Sequence, residues 1–296
     1  MAAAVAQYRP IAVYDSTYLG VLADSFASLP TVGNYVIVLM TGFNSNITFS
    51  VSDNQGHTYN VTYQQTGDSN HGIAFVKVAT SSGTFTVTVT HSDTDRSASI
   101  QLIEASGLAA SSVFDANDWD TGGVAQPAIT TTAAGDLILV LAGANGGGNT
   151  MPETSGNYTQ IAAHNGSNFD VYSYYKVAGA AGSEATALGG TFVTNNLTGQ
   201  IIAFKAAAGG PTVSTVSSNS ANEGTAIVHT VTLSGATSGT TNFAASLSGG
   251  TATGGGTDYT SDLASATYSN GVTFSAGNMV VPTAVSSWTV SIPTTS

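Results

Sequence analysis

Apolar and polar residues alternate with a period of two along most of the chain. Ile47, Phe49 and Val51 alternate with Thr48 and Ser50, Tyr59, Val61 and Tyr63 with Asn60 and Thr62, and Phe85, Val87 and Val89 with Thr86, Thr88 and Thr90. Successive side chains of a strand point to opposite faces, so the pattern predicts strands with one buried and one hydrated face. The β-branched and aromatic content agrees. Between the runs lie Asp53-Asn54-Gln55-Gly56, Thr66-Gly67-Asp68-Ser69-Asn70 and Thr80-Ser81-Ser82-Gly83. Gly, Asn and Asp reach the backbone conformations that tight turns need. Helical spacing is hard to find, and short strands at regular intervals predict an all-β chain of tandem β-sandwiches.

An internal echo sets the organisation. Tyr14-Asp15 returns as Phe114-Asp115, and Gly33-Asn34-Tyr35-Val36-Ile37-Val38-Leu39 returns as Gly135-Asp136-Leu137-Ile138-Leu139-Val140-Leu141. Gly56 and Tyr59 have counterparts in Gly156 and Tyr158, Lys77-Val78-Ala79 in Lys176-Val177-Ala178, and Gln101-Leu102-Ile103 in Gln200-Ile201-Ile202. Each copy is long enough for one sandwich of about 100 residues. The stretch Ala206-Ala207-Ala208-Gly209-Gly210-Pro211 reads as a linker, and Val228, Thr230 and Thr232 then alternate against His229, Val231 and Leu233. The expected parts are an N-terminal arm over 1–10, a first repeat over 11–107, a second over 108–208 and a third unit over 211–296. A single large sandwich of two fused halves is the alternative for the two repeats.

Composition narrows the function. Of 296 residues only 7% are charged, against roughly 25% in ordinary domains, so the surface is expected to be rich in hydroxyls and amides. The net charge is −12, and the five cations Arg9, Lys77, Arg96, Lys176 and Lys205 are too few to neutralise a phosphate backbone. No nucleic-acid partner is expected. The absence of cysteine excludes disulfides, thiolate metal sites and a cysteine nucleophile. No stretch approaches the roughly 20 apolar residues of a bilayer span, the longest runs such as Leu137 to Ala142 being strand-sized, so membrane insertion is not expected. Residues 1–10 lack the basic start and apolar run of a secretory leader.

Candidate chemistry is sparse. The segment Asp115-Ala116-Asn117-Asp118-Trp119-Asp120-Thr121-Gly122-Gly123 is the one dense carboxylate cluster. Read as a loop, it offers Asp115, Asp118 and Asp120 as oxygen ligands for a hard cation such as calcium, with Trp119 beside them as a surface for a sugar ring. A solvated connection between the repeats is the plainer reading of the same residues. His57, His71, His91, His164 and His229 have no zinc spacing, and no Gly-x-Ser-x-Gly elbow accompanies them. Gly254-Gly255-Gly256-Thr257-Asp258 is one copy of a calcium nonapeptide that needs several to stack, and Gly146-Gly147-Gly148 lacks the Lys-Ser/Thr of a phosphate loop. No catalytic constellation and no resident cofactor are expected.

Longer motifs carry two resemblances. Asn222-Glu223-Gly224, Val228 to Gly235, Gly250-Thr251-Ala252, Gly256-Thr257-Asp258-Tyr259-Thr260 and Val272 to Gly277 occur in the order of a Calx-beta domain, which the third unit resembles. The resemblance implies an immunoglobulin-like sandwich. It also implies a calcium set that is incomplete here, with Glu223 in place but Gly249 where the family has Asp and no acidic cluster after Ile292. By the same comparison the unit reads as cut short, either as a fragment of a longer protein or with a sheet edge open to a neighbouring chain. The first two units carry Gly135-Asp136-Leu137-Ile138, Asp53-Asn54-Gln55-Gly56-His57-Thr58-Tyr59 and Ile103-Glu104-Ala105-Ser106-Gly107. With these they resemble jelly-roll or immunoglobulin-like repeats of phage structural proteins and bacterial surface proteins.

The resulting expectation is a structural virion protein of a tailed bacteriophage, a capsid decoration or accessory surface protein. Its expected partners are the major capsid protein, other copies of itself and host-surface glycans held on Trp119 or on Tyr172, Tyr174 and Tyr175. A tail or fibre component and a bacterial adhesin or filament subunit are the alternatives.

Overall fold

The computed structural model describes residues 3–14, 20–42, 48–66, 69–92, 98–121, 127–155, 157–167, 169–189, 197–207, 209–237, 239–247, 254, 258–259 and 262–295. They fall into two compact units, 1–208 and 209–296. The chain is all-β, built of separate antiparallel sheets, and among the described residues no helix is long and apolar enough to cross a membrane.

In the first unit the strands of the first repeat are β1 (Ala4–Tyr8), β2 (Ala12–Tyr14), β3 (Val21–Ser25), β4 (Tyr35–Gly42), β5 (Phe49–Asp53), β6 (Asn60–Thr66), β7 (Ser69–Lys77), β8 (Thr86–His91) and β9 (Ala98–Ser106). Those of the second are β10 (Phe114–Thr121), β11 (Ala128–Thr131), β12 (Leu137–Asn145), β13 (Thr159–Asn165), β14 (Phe169–Val177), β15 (Gly182–Ala185) and β16 (Leu197–Phe204). The large sheets run β1-β9-β4-β7-β6, with β2 also paired to β9, and β10-β16-β12-β14-β13, so that β10 takes the place of both β1 and β2, and the small sheets are β3-β8-β5 and β11-β15. Residues 4–8, within the expected N-terminal arm, form a strand at the sheet edge, because Ala4 to Tyr8 pair with Ser106 to Ile103 of β9.

The two central strands explain why the repeats form one unit. All eight residues of β4 are buried: Tyr35, Ile37 and Leu39 on one face, Val36, Val38 and Met40 on the other. In β12, Leu137, Leu139 and Leu141 alternate in the same way with Ile138, Val140 and Ala142. A strand apolar on both faces needs cover on both, and each such side chain contributes about 1.5–3 kcal/mol when fully buried. The small sheet of the first repeat covers one face of its large sheet. In the second repeat, Ile129 of β11 with Met151, Tyr158 and Leu188 covers the equivalent face. The remaining faces share one central core, where Ile37, Leu39 and Ile103 meet Leu139, Ile202 and Phe204.

The structure corrects two echoes. Phe114 pairs with Phe204 at the end of β16, whereas Tyr14 pairs with Ala98 at the start of β9, so these two aromatic residues are not equivalent. Gly33 N donates to Val78 O (2.9 Å) and Gly135 N to Ala178 O (2.7 Å), so Val78 corresponds to Ala178 and not to Val177. The two lysines are therefore one register apart, Lys77 opposite Tyr35 and Lys176 opposite Ile138. A slip of one residue reverses the face, and Lys176 turns to Glu184 (2.6 Å) and the ring of Tyr158. Gln101 and Gln200 do correspond, opposite Leu39 and Leu141.

The second unit has β17 (Val213–Val216), β18 (Ile227–Leu233), β19 (Thr241–Ala244), β20 (Thr267–Tyr268), β21 (Thr273–Ser275), β22 (Asn278–Val281) and β23 (Ser287–Ile292). They form the sheets β17-β18-β23-β20 and β19-β22-β21 around Trp288, Val231, Val272, Val281 and Val290. Alternation in β23 turns Trp288, Val290 and Ile292 inward. Gly250-Thr251-Ala252 and Gly256-Thr257 lie outside the described residues.

Truncation in the shared core tests its coupling. Leu139→Ala should cost about 2–5 kcal/mol in urea unfolding and lower amide protection in β4 as well as in β12. Loss confined to β12 would show that the central core does not couple the repeats.

Candidate functional site

The acidic segment is a strand rather than a loop. Residues 114–121 pair with β16, and an irregularity between Phe114 and Ala116 puts Asp115 at a bulge. Asp115 accepts hydrogen bonds from the Thr132 N–H (2.7 Å) and hydroxyl (2.6 Å), and Asp118 accepts from Ala128 N–H (3.0 Å). These amides bracket β11, so the two carboxylates fasten that strand at both ends. Burial by itself would raise the Asp115 carboxyl, but the Thr132 donors and Lys205, 3.5 Å away, hold it below the usual range. Burial pushes its neighbour Asp136 up, as does the Asp115 carboxylate, while Asp136 accepts from Ala206 N–H (3.1 Å) and Ala133 N–H (3.2 Å). The Asp120 side chain lies outside the described residues. Among the described residues no group of three or more His, Asp or Glu converges as a metal site.

The Asp-x-x-Gly-x-x-Tyr motif is a turn lock. Asp53 Oδ1 accepts from Gln55 N–H (2.9 Å) and His57 N–H (3.1 Å), and Oδ2 from His57 Nδ1 (2.9 Å) and the Tyr59 hydroxyl (3.0 Å). Gly56 supplies the positive φ (82°) that the turn requires. The Asp53–His57 pair has the look of a catalytic dyad, but His57 Nε2 accepts from Ala79 N–H (3.1 Å) and Thr80 N–H (3.3 Å). With Nδ1 on Asp53 and Nε2 accepting two main-chain amides, both ring nitrogens are engaged within the turn. Burial, then the Asp53 carboxylate, raises the Tyr59 hydroxyl. In the closing motif, Glu104 likewise accepts from Gln7 Nε2 (2.6 Å), Thr31 N–H (2.8 Å) and Asn34 Nδ2 (2.5 Å).

Polar side chains also meet inside the central core. His71 on β7 is buried, its Nε2 in contact with the Thr198 hydroxyl and its ring 5.7 Å from that of Trp119. Gln200 Nε2 donates to Met40 O (3.1 Å), and the Ser173 hydroxyl donates to Gln101 Oε1 (2.9 Å), so each repeat's glutamine bonds to the other repeat. Burial lowers the His71 pKa to about 3. Trp119 is thus half-buried against His71, Tyr172 and Tyr174 lie in the second repeat's outer core, and Tyr175 packs on the central one. The aromatic platforms expected from the sequence are parts of cores.

A groove in the first unit, about 330 Å³, lies beside the segment that joins the repeats, lined by Tyr35, Asn60, Phe75, Lys77, Ser112 and Phe114 among others. No sequence motif marked it, because its members come from four separate segments. In the second unit an apolar groove of about 200 Å³ runs past Val216, Leu247, Leu263, Met279 and Ile292, with His229 Nδ1 donating to Ser217 O (2.7 Å) at its side. No protein-family model, curated protein or solved structure matches the chain.

Two measurements check these assignments. Asp53→Ala leaves four donors without their acceptor and should cost about 2–4 kcal/mol in urea unfolding at pH 7. For His71, the unfolded chain takes up a proton near pH 6.5 and the folded chain only near pH 3. Its contribution is therefore complete above about pH 6.5 and declines as the pH falls towards 3. Between pH 7 and pH 4 the wild type should lose about 2–3 kcal/mol more stability than His71→Gln. Equal losses would contradict the assignment.

Proposed function

We propose that the chain is a structural virion protein of a tailed bacteriophage, a capsid decoration protein that sits on the particle surface as copies beside the major capsid protein. One observation carries the reading: the chemistry-bearing side chains are turned inward, to backbone donors. Asp53, Glu104, Asp115, Asp118 and Asp136 each accept main-chain N–H groups, and Nε2 of His57 does the same. A molecule that commits its acids and imidazoles to holding turns and strand ends is suited to being a rigid scaffold.

The outward face of β3-β8-β5 agrees with such a role. Ser50, Ser52, Thr86, Thr88 and Thr90 stand on it in adjacent register, and the Ser25 and Thr86 hydroxyls bond at 2.7 Å. It is a nearly uncharged, hydroxyl-rich sheet face, fitted to gripping a partner by shape and hydrogen bonds without salt bridges. The second unit, with its Calx-beta likeness, is the part we assign to face away from the particle.

Mass spectrometry and electron microscopy of purified particles test the proposal: the protein should be present in regular copies on the head. Thr88→Lys, an exchange on the outward face, should leave thermal stability within about 0.5 kcal/mol of wild type yet reduce occupancy on particles at least tenfold. A protein absent from virions, or found on bacterial surfaces instead, overturns the reading.

A further inference from the structure

The groove beside the repeat junction has features that the scaffold does not require. Two aromatic rings line it: Phe75 and Phe114 stack within 8° of parallel with centroids 6.0 Å apart, and each meets Phe204 behind them in a T-shaped contact. One wall is the connecting segment, held in place before any ligand arrives. The Tyr35 hydroxyl donates to Ala109 O (2.9 Å), Ala109 N–H to Lys205 O (2.9 Å) and Lys205 N–H to Val113 O (2.7 Å). Within this wall Ser112 has φ 48°, a left-handed conformation that residues with a side chain rarely adopt and that recurs where function demands it.

The rim carries an unmatched charge. Arg9 is paired with Asp24, Lys176 with Glu184 and Lys205 with Asp115. Among the described cations Lys77 alone has no carboxylate partner, and it is exposed at the edge of the groove beside Asn60. On a chain of net charge −12, an anion meets repulsion over most of the surface, so a single free ammonium decides where it can settle.

We propose that this groove binds one acidic sugar ring, a hexuronate, with its carboxylate on Lys77 and its C–H face on the Phe75–Phe114 pair. One cation matches one carboxylate, whereas a phosphate chain would call for several. An aromatic lining takes the apolar face of a sugar, and the Asn60 amide and Ser112 hydroxyl match its hydroxyl groups. The volume is near the lower end of small-molecule sites, roughly 300–1,000 Å³, which suits one ring better than an oligosaccharide. The site does not depend on the virion assignment and would hold on any particle or surface.

Saturation-transfer NMR on the full chain, titrated separately with sodium glucuronate, glucose and benzoate, tests it. Glucuronate should bind at least tenfold more tightly than glucose and more tightly than benzoate, and 0.5 M NaCl should weaken glucuronate alone among the two sugars. Lys77→Gln, at an exposed position, should bring glucuronate down to the glucose level with the thermal midpoint unchanged, and Asn60→Ala should weaken both sugars. Equal binding of the two sugars, no binding of either, tighter binding of benzoate, or glucuronate binding indifferent to Lys77→Gln would each overturn the proposal.

Discussion

The first unit depends on one constraint: its two central strands are apolar on both faces. An antiparallel sheet usually keeps one face for water, but β4 and β12 have no polar face to offer. Each large sheet therefore has to be sandwiched, by its own repeat on one side and by the other repeat on the other. The shared order of the two sheets and the reciprocal bonds of Gln101 and Gln200 follow the same logic. The arrangement resembles a two-fold dimer whose halves have been joined in one chain.

Within that frame the acidic residues take a structural role. With only 7% charged residues the chain has few carboxylates, and those of Asp53, Glu104, Asp115, Asp118 and Asp136 accept amides that lie at turns and strand ends. An amide buried without an acceptor is costly, and an ionised carboxylate is a strong acceptor that can serve two or more donors at once. Short strands and long turns produce many such amides. A small number of well-placed acids is one way to satisfy them without a helix.

The strand pattern was legible because alternation is a local property. Thr86 to Thr90 reads as a half-buried strand from its own residues, and it is one. The acidic segment misled because composition favours a loop there, while the pairing of β10 with β16, more than seventy positions along the chain, holds it extended. The one-residue slip between Lys77 and Lys176 was equally invisible, since identical triplets conceal which face each residue takes. Trp119, Tyr172 and Tyr174 had the chemistry of sugar platforms, but exposure is a tertiary property, and packing buried the two tyrosines and half-buried Trp119. The groove at Lys77 is the reverse case. Its residues come from four separate segments and acquire a common meaning only when the repeats close on each other.

The two-sided burial of β4 also has a consequence for synthesis. The inner face of the first repeat, with Ile37, Leu39 and Ile103, finds its cover only in strands that end at Phe204. At roughly 5–20 residues per second, the ribosome needs on the order of 5–20 s after finishing the first repeat to deliver the second. Throughout that interval the nascent chain carries a finished sheet with a bare oily side. The same surface on a neighbouring nascent chain is another apolar face within reach, so the pairing that makes the mature unit is in competition with association between chains on the same message.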